Sequence, residues 1–298
     1  METGENNFLH VVGKKLLWED SFAVIPKNFD EDIALQCLLI FQVGETSISF
    51  ALVNKNKASH IGLGQFNFDL SKNQLENLDL FFADNIWLKF QYSNVILIER
   101  NRIHTLIPEA FYDSTIHLEY LKNNSFMVEG GINHKFNIKS EEAINLSLLN
   151  SEVFYKINSW FSEINTFHHH DVLLEMAAAW QRLNRNDEVV LNLNKDFFDL
   201  VIFKNQKLKF CNSYYFEEPE DVLYYTLLVL ESHDIIPAEV PLKLIGQMAN
   251  HKDYLKLLTL YIPMARPFED LNFIEKSSDL KSVPNYLFAT LQNGFLCV

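Results

Sequence analysis

The chain is short of positive charge. Its 298 residues hold 25 Lys and Arg against 39 Asp and Glu, a formal net charge of −14. Phosphate backbones are bound by concentrated Lys and Arg, so this balance argues against nucleic acid as a partner, and against an anionic membrane surface for the same reason. Cysteine is scarce: Cys37, Cys211 and Cys297 lie far apart and make no CxxC or Cys/His metal spacing, so buried free thiols in a reducing compartment are expected. Long apolar runs are missing. Stretches such as Leu227–Leu230 fall far below the roughly 20 residues that span a bilayer. Met1 to His10 has no basic region followed by an apolar stretch, so no signal peptide is read and the expected location is cytoplasmic. The sequence contains no Walker A, G-x-S-x-G or H-E-x-x-H motif.

What is present is core-forming material. Hydrophobic residues make up 48% of the chain, and 25 of its residues are Phe. At this length two domains or two close-packed lobes are the natural prior. A pattern repeat supports that division. Leu39 to Lys57 lies over Val189 to Lys207 without a gap, although only Lys57 and Lys207 are identical. Leu39, Phe41 and Val43 match Val189, Leu191 and Leu193; Ile48, Phe50 and Leu52 match Phe198, Leu200 and Ile202. A spacing of two puts each set on one strand face.

A third strand follows in each copy, His60–Phe68 and Leu208–Phe216, completing a three-stranded meander. A helix comes next: one opened by a Ser71/Gln74 capping box and running to Ala83, the other opened by Glu218-Pro219 and running through Val222–Glu231. The second is apolar nearly all round and is expected to be buried. A fourth strand (Val95–Ile98, Leu242–Ile245) and a further helix (Ala110–Leu121, Asp253–Leu260) end each copy. Between the copies, Ile144–Leu148 reads as a strand and Glu152–Phe161 as a helix. Asp171 reads as the cap of a bridging helix over Val172–Leu183. Phe22–Ile25 reads as an edge strand, Leu271–Ile274 as a short strand and Asn285–Leu291 as a last helix.

Strand-strand-strand-helix-strand-helix, given twice, resembles the ribonuclease-H-like lobe. Two such lobes make the actin-like fold of sugar kinases, heat-shock ATPases and bacterial actin relatives. The expected class is therefore α/β with mixed sheets, an actin-like ATPase fold built by duplication, with lobes at residues 1–170 and 171–298. More closely, Thr105–Glu109, Glu220–Tyr225 and Val240–Gly246 are similar to stretches of an uncharacterised bacterial family of unknown function that is assigned this fold.

The resemblance also says where a nucleotide would sit. In actin-like ATPases each lobe's first hairpin carries an Asp-x-Gly turn facing phosphates and magnesium. Here Gly44 and Thr46 survive but Gln42 replaces the Asp, and the second turn, Asn192-Leu193-Asn194, has neither Asp nor Gly. Carboxamides hold Mg²⁺ poorly beside carboxylates. The Gly-Gly of the adenosine turn reads Gly246-Gln247. Glu45, Asp196 and Asp199 stay nearby, off the motif positions. Gly44 and Gly246 are then turn residues, and Gly44, Thr46, Asn192, Asn194 and Gly246 mark a degenerate nucleotide cleft.

Other clusters carry less. Three consecutive residues do not all point one way on a strand, so no tight metal site is expected at His168-His169-His170; a strand end and helix cap is the simpler reading. Gly130-Gly131 reads as a turn, and Tyr214, Tyr215, Tyr224 and Tyr225 as core packing. The expectation is a pseudo-ATPase without cofactor that binds an unidentified protein partner. The alternative is a nucleotide sensor, enzyme or small-ligand binder with a nonstandard site around Gly44, Thr46, Asp196 and Gly246 in the interlobe cleft.

Overall fold

The computed structural model describes residues 21–122, 130–138, 141–246, 251–269 and 273–298. The chain opens with an edge strand, β1 (Phe22–Val24), and a one-turn helix, α1 (Glu31–Ala34). The first meander is β2 (Cys37–Val43), β3 (Ser47–Asn54) and β4 (Ser59–Asn67), followed by α2 (Gln74–Asp84) and β5 (Asn94–Glu99). A small antiparallel unit comes next: β6 (His104–Pro108), α3 (His117–Lys122), β7 (Ile132–Ile138) and β8 (Ala143–Leu149). The first lobe resumes with α4 (Ser151–Asn158), β9 (Asn165–His168) and α5 (His169–Asn184). The second meander is β10 (Glu188–Leu193), β11 (Phe197–Lys204) and β12 (Lys207–Tyr215), with α6 (Pro219–Ser232), β13 (Leu242–Gly246), α7 (His251–Tyr261) and β14 (Ala265–Pro267) after it. β15 (Glu275–Lys276) and α8 (Ala289–Gln292) come last.

The first sheet runs β1-β4-β3-β2-β5-β9, with β15 pairing the start of β4 on the same edge as β1. The second runs β12-β11-β10-β13-β14. Set β1 and β15 aside and the two orders coincide. Each is an antiparallel meander whose first strand pairs in parallel with a fourth, and the fourth in parallel with a fifth. The registers coincide too. Phe41 faces Phe50, and Leu191 faces Leu200. Even the irregularity repeats: the pairing shifts between Leu52 and Val53 in one meander, and between Ile202 and Phe203 in the other. A bulge adds a residue to one strand and bends it, so a shared bulge is a shared curvature.

The central strands β2, β3, β10 and β11 are buried along nearly their whole length, and both faces of each sheet carry a core. On the first sheet, Leu39, Phe41, Phe50 and Leu97 meet Leu78 and Phe81 of α2 and Val153 and Ile157 of α4. Its other face, with Ile40, Ile96 and Ile98, is covered by Leu280, Leu287, Phe288 and Leu291 from the end of the chain. Thr290 completes the join by donating to Gln42 Oε1 at 2.8 Å. Val190, Val201 and Ile245 of the second sheet pack with Leu174, Ala177 and Trp180 of α5. The expected boundary at residue 170 thus falls inside the first turn of α5, whose side chains serve both lobes.

Several local expectations change. The box on α2 is Asn73 with Glu76, because Ser71 is already bonded to Asp69. Glu218 opens α6 with Pro219 as its first residue, as expected, but Tyr224 and Leu228 are exposed, so α6 buries one face only. Ala110–Leu121 holds two 3-10 turns and the short α3, which cover the three-stranded unit. The helix matching α7 in the first lobe is α4, reached after the insertion. Leu271 lies outside the described residues, and β15 begins after Ile274.

Candidate functional site

The two hairpin turns face each other across a cleft. Gly44, Glu45 and Thr46 line one side, and Asn194, Lys195 and Asp196 the other. The cavity between them is about 400 Å³, and residues 99–103 and Leu148–Asn150, at the two ends of the inserted unit, form its end wall. Tyr215 and Phe197 bring aromatic surface from the second lobe.

At the first turn, Gln74 Nε2 donates to Gly44 O at 2.9 Å. Arg100, one residue past β5, donates its backbone N–H to Val43 O at 2.8 Å. Its guanidinium lies over the bare Cα of Gly44, where a Cβ would come within 2.6 Å of Nη2, and Nη2 reaches Ser47 Oγ at 3.3 Å. Gly44 thus makes room for the far end of the Arg100 side chain, and its backbone lies outside the left-handed region. Burial lowers the Arg100 guanidinium from its usual value, and Asp196, Asp199 and Glu45 oppose that shift. Arg102 stacks on Tyr215, its Cζ 2.9 Å from the ring centroid.

Glu99 holds the end wall. Its two oxygens accept from Asn150 N–H at 2.7 and 2.8 Å, and Oε1 also accepts from Asn101 Nδ2. Burial pushes its carboxyl up to about 7 against the pull of those donors.

The motif-position side chains turn inward. Gln42 is tied to Thr290. Asn192 Nδ2 donates to Asp199 Oδ2 at 2.8 Å, and Asn194 Nδ2 to the same oxygen at 3.3 Å. Gly246 sits at φ +115°, with Leu193 O where a Cβ would be, so both its conformation and its space demand glycine. Gln247 lies outside the described residues. The cavity therefore gathers Gly44, Thr46, Asn194, Glu45 and Asp196, while Asn192, Asp199 and Gly246 are not in its wall. Sequence reasoning missed Glu99, Arg100, Asn101 and Arg102. The signal was available: four polar residues directly after a fully apolar strand.

Behind the second turn lies a buried polar cluster. His168, His169, His170, Asp171 and Asp199 are fully buried. His168, not Asp171, is the N-cap of α5; Asp171 is three residues on and its Oδ2 accepts the His168 N–H at 2.8 Å. The expectation that the three imidazoles diverge fails. Only His168 belongs to the strand, while His169 and His170 begin the helix, and one ligand atom from each of the three lies within 4.8 Å of the others. His104, His170 and Cys211 form a second set as compact. Burial raises Asp199, but His169 and His170 beside it outweigh that and hold its carboxyl well below the usual range.

Two meander-led sheets of one order, with their hairpin turns opposed across a cleft, define an actin-like ATPase fold. A protein of Bacteroides thetaiotaomicron "with actin-like ATPase fold and unknown function" superposes with TM-score 0.77 at 18% identity, over 91% of this chain and 99% of that one. The "PilM-PilN type IV pilus biogenesis complex" gives TM-score 0.60 at 9% identity, over 86% of this chain and 96% of that one. At such identities these likenesses establish the fold. Residues 26–264 match the model of "Protein of unknown function (DUF3822)", and the chain belongs to that family. No curated protein matches it. Among the described residues, no helix is long and apolar enough to cross a membrane.

Proposed function

We propose that this protein is a non-hydrolysing member of the actin-like fold, whose interlobe cleft recognises a protein partner in the cytoplasm. The observation that carries the reading is the fate of the two phosphate turns. Gln42, Asn192 and Asn194 occupy the positions where a metal-positioning carboxylate is needed, and all three are engaged inside the protein. Arg100 lies on Gly44, in the space a phosphate would approach. Neutral carboxamides already bonded elsewhere offer Mg²⁺ little. Gly44, Thr46, Asn192, Asn194 and Gly246 are on this reading remnants of a nucleotide cleft. The common register and bulge support lobes 1–170 and 171–298 as copies of one ancestral unit.

A relative of this fold is found in a complex named for two pilus proteins, which supports a binding role by analogy alone. With a net charge of −14, the chain favours a partner with a basic face. A second reading has its own support. A 400 Å³ cavity holding Arg100, Arg102 and Lys195 is large enough for a small anionic ligand.

Calorimetry with Mg-ATP should give no binding at cellular nucleotide concentrations and no phosphate release. Micromolar binding abolished by Gly44→Trp would overturn the proposal. Native mass spectrometry of protein taken from its own cells separates the other two readings: a stoichiometric protein partner weakened by salt supports the first, a retained metabolite the second.

A further inference from the structure

The histidine cluster is held by a set of partners that fixes where its protons are. Asn101 uses both Nδ2 hydrogens, on Glu99 Oε1 and Leu148 O, and its Oδ1 accepts from Ile103 N. That same Oδ1 is 3.1 Å from His168 Nε2, so Nε2 carries the proton and His168 Nδ1 is an acceptor, facing the His170 backbone N–H at 3.4 Å as the cap of α5. His169 Nε2 faces Asp199 Oδ2 at 3.0 Å, and its Nδ1 is buried with no hydrogen-bond partner. His170 Nε2 lies 3.2 Å from Asp199 Oδ1, which also accepts from Ser213 Oγ. Each Nε2 proton thus points at an acceptor, and each Nδ1 is left as an acceptor. Yet His168 Nδ1 and His170 Nδ1 stand 3.3 Å apart. His168 Nδ1 has only the long 3.4 Å cap bond, and two nitrogen acceptors 3.3 Å apart are stabilised by a cation placed between them.

We propose that His168, His169 and His170 bind one imidazole-preferring transition-metal ion, with zinc the first candidate, through their Nδ1 atoms. Two bonds of about 2.05 Å spanning the 3.3 Å between His168 and His170 meet at about 107°, close to tetrahedral. The second layer fits as well. A metal-bound histidine characteristically donates its other N–H to a carboxylate or carbonyl, which fixes the tautomer and raises its basicity. Asp199 and the Asn101 amide take those roles.

Charge argues the same way. Asp199 is fully buried, and the hydrogen bonds to it come from His169, His170, Asn192, Asn194 and Ser213. A buried carboxylate held by neutral donors is costly, and a cation beside it offsets that. The N-terminus of α5 opposes a cation, while Asp171 and Asp199 favour one. The ion would fasten the start of α5 to the second sheet through Asp199 and Ser213, and to the end wall of the cleft through Asn101. A peptide or ligand in the cleft would then press on a metal-pinned wall.

The test uses untagged full-length protein, stripped with a chelator under mild denaturation and refolded with Zn²⁺ or Co²⁺. The expected result is about one equivalent of either ion surviving gel filtration, with the intense visible bands of four-coordinate cobalt. His169→Ala and the double change His168→Ala/His170→Ala should lose the bound ion and the cobalt bands, while His233→Ala keeps both. If wild-type protein refolds to its native circular dichroism yet retains less than about a tenth of an equivalent of each ion, the proposal fails, and a proton shared between His168 and His170 is the cation instead.

Discussion

Replacing Glu188 with alanine should destabilise the protein by about 3–5 kcal/mol, far more than losing one surface ion pair. Glu188 begins β10, and Lys243 lies on the neighbouring strand β13, 1% exposed, with Nζ 2.5 Å from Glu188 Oε1. Trp180 of α5 donates from Nε1 to the same oxygen at 2.9 Å, and its ring lies 3.8 Å from the ammonium. Phe268 closes the other side at 4.6 Å. Without Glu188 the ammonium keeps its aromatic neighbours, whose attraction is about 2 kcal/mol when desolvated, against a desolvation penalty of several kcal/mol. The reverse change, Lys243→Met, should cost about 1–2 kcal/mol, because burial already pushes the Glu188 carboxyl up and the group can take a proton. The double change Glu188→Leu/Lys243→Met should recover most of the loss, giving a coupling of about 2 kcal/mol or more. Urea unfolding followed by tryptophan fluorescence and circular dichroism measures all three. A loss below about 1 kcal/mol for Glu188→Ala, or a double variant worse than the sum of the singles, would refute the reasoning.

Two further expectations concern Glu99 and Gly246. Glu99 is easier to protonate in the fold, at about 7 against an ordinary value of 4.5, so its contribution is most favourable below pH 4.5 and is lost as the pH rises through about 7. Glu99→Gln should therefore gain on the wild type by up to about 3 kcal/mol between pH 5 and pH 8 in urea titrations, and a flat difference across that range refutes the assignment. Gly246→Ala should cost about 2–3 kcal/mol or more in thermal melts, against about 1 kcal/mol for Gly130→Ala, which has positive φ but open space; equal losses would mean that Leu193 O moves aside freely.

The meanders were legible because burial on both faces leaves a strong apolar signature and fixes the register, so a match of pattern survived almost complete loss of identity. Of the insertion only β8 was, as the strand expected over Ile144–Leu148. Strand β7 alternates half-buried and exposed residues, with His134, Lys135 and Asn137 among them, which reads as a loop. The turns after β6 carry enough apolar residues to suggest a helix. The two hairpin turns expected at Gly44–Thr46 and Asn192–Asn194 do flank the cleft, but Asn192 and Asn194 point the same way, both bonded to Asp199, and only Asn194, just past the end of β10, borders the cavity. A strand end and helix cap do form at the histidines, but the helix starts at His169 and not after Asp171. A helix beginning after His168 rotates successive side chains around one axis, and the cap folds His168 back toward His170, within 3.4 Å of its N–H.

The covering of the first sheet by Leu280, Leu287, Phe288 and Leu291 sets an order of events during synthesis. Strands β2 and β5 leave the ribosome roughly 240 and roughly 180 residues before the side chains that shield Ile40, Ile96 and Ile98. For that interval the nascent first lobe carries an uncovered apolar face, the kind of surface that chaperones hold and that aggregates when they do not. That face closes only when residues 280–291 arrive, so one side of the first sheet waits for a segment made long after it.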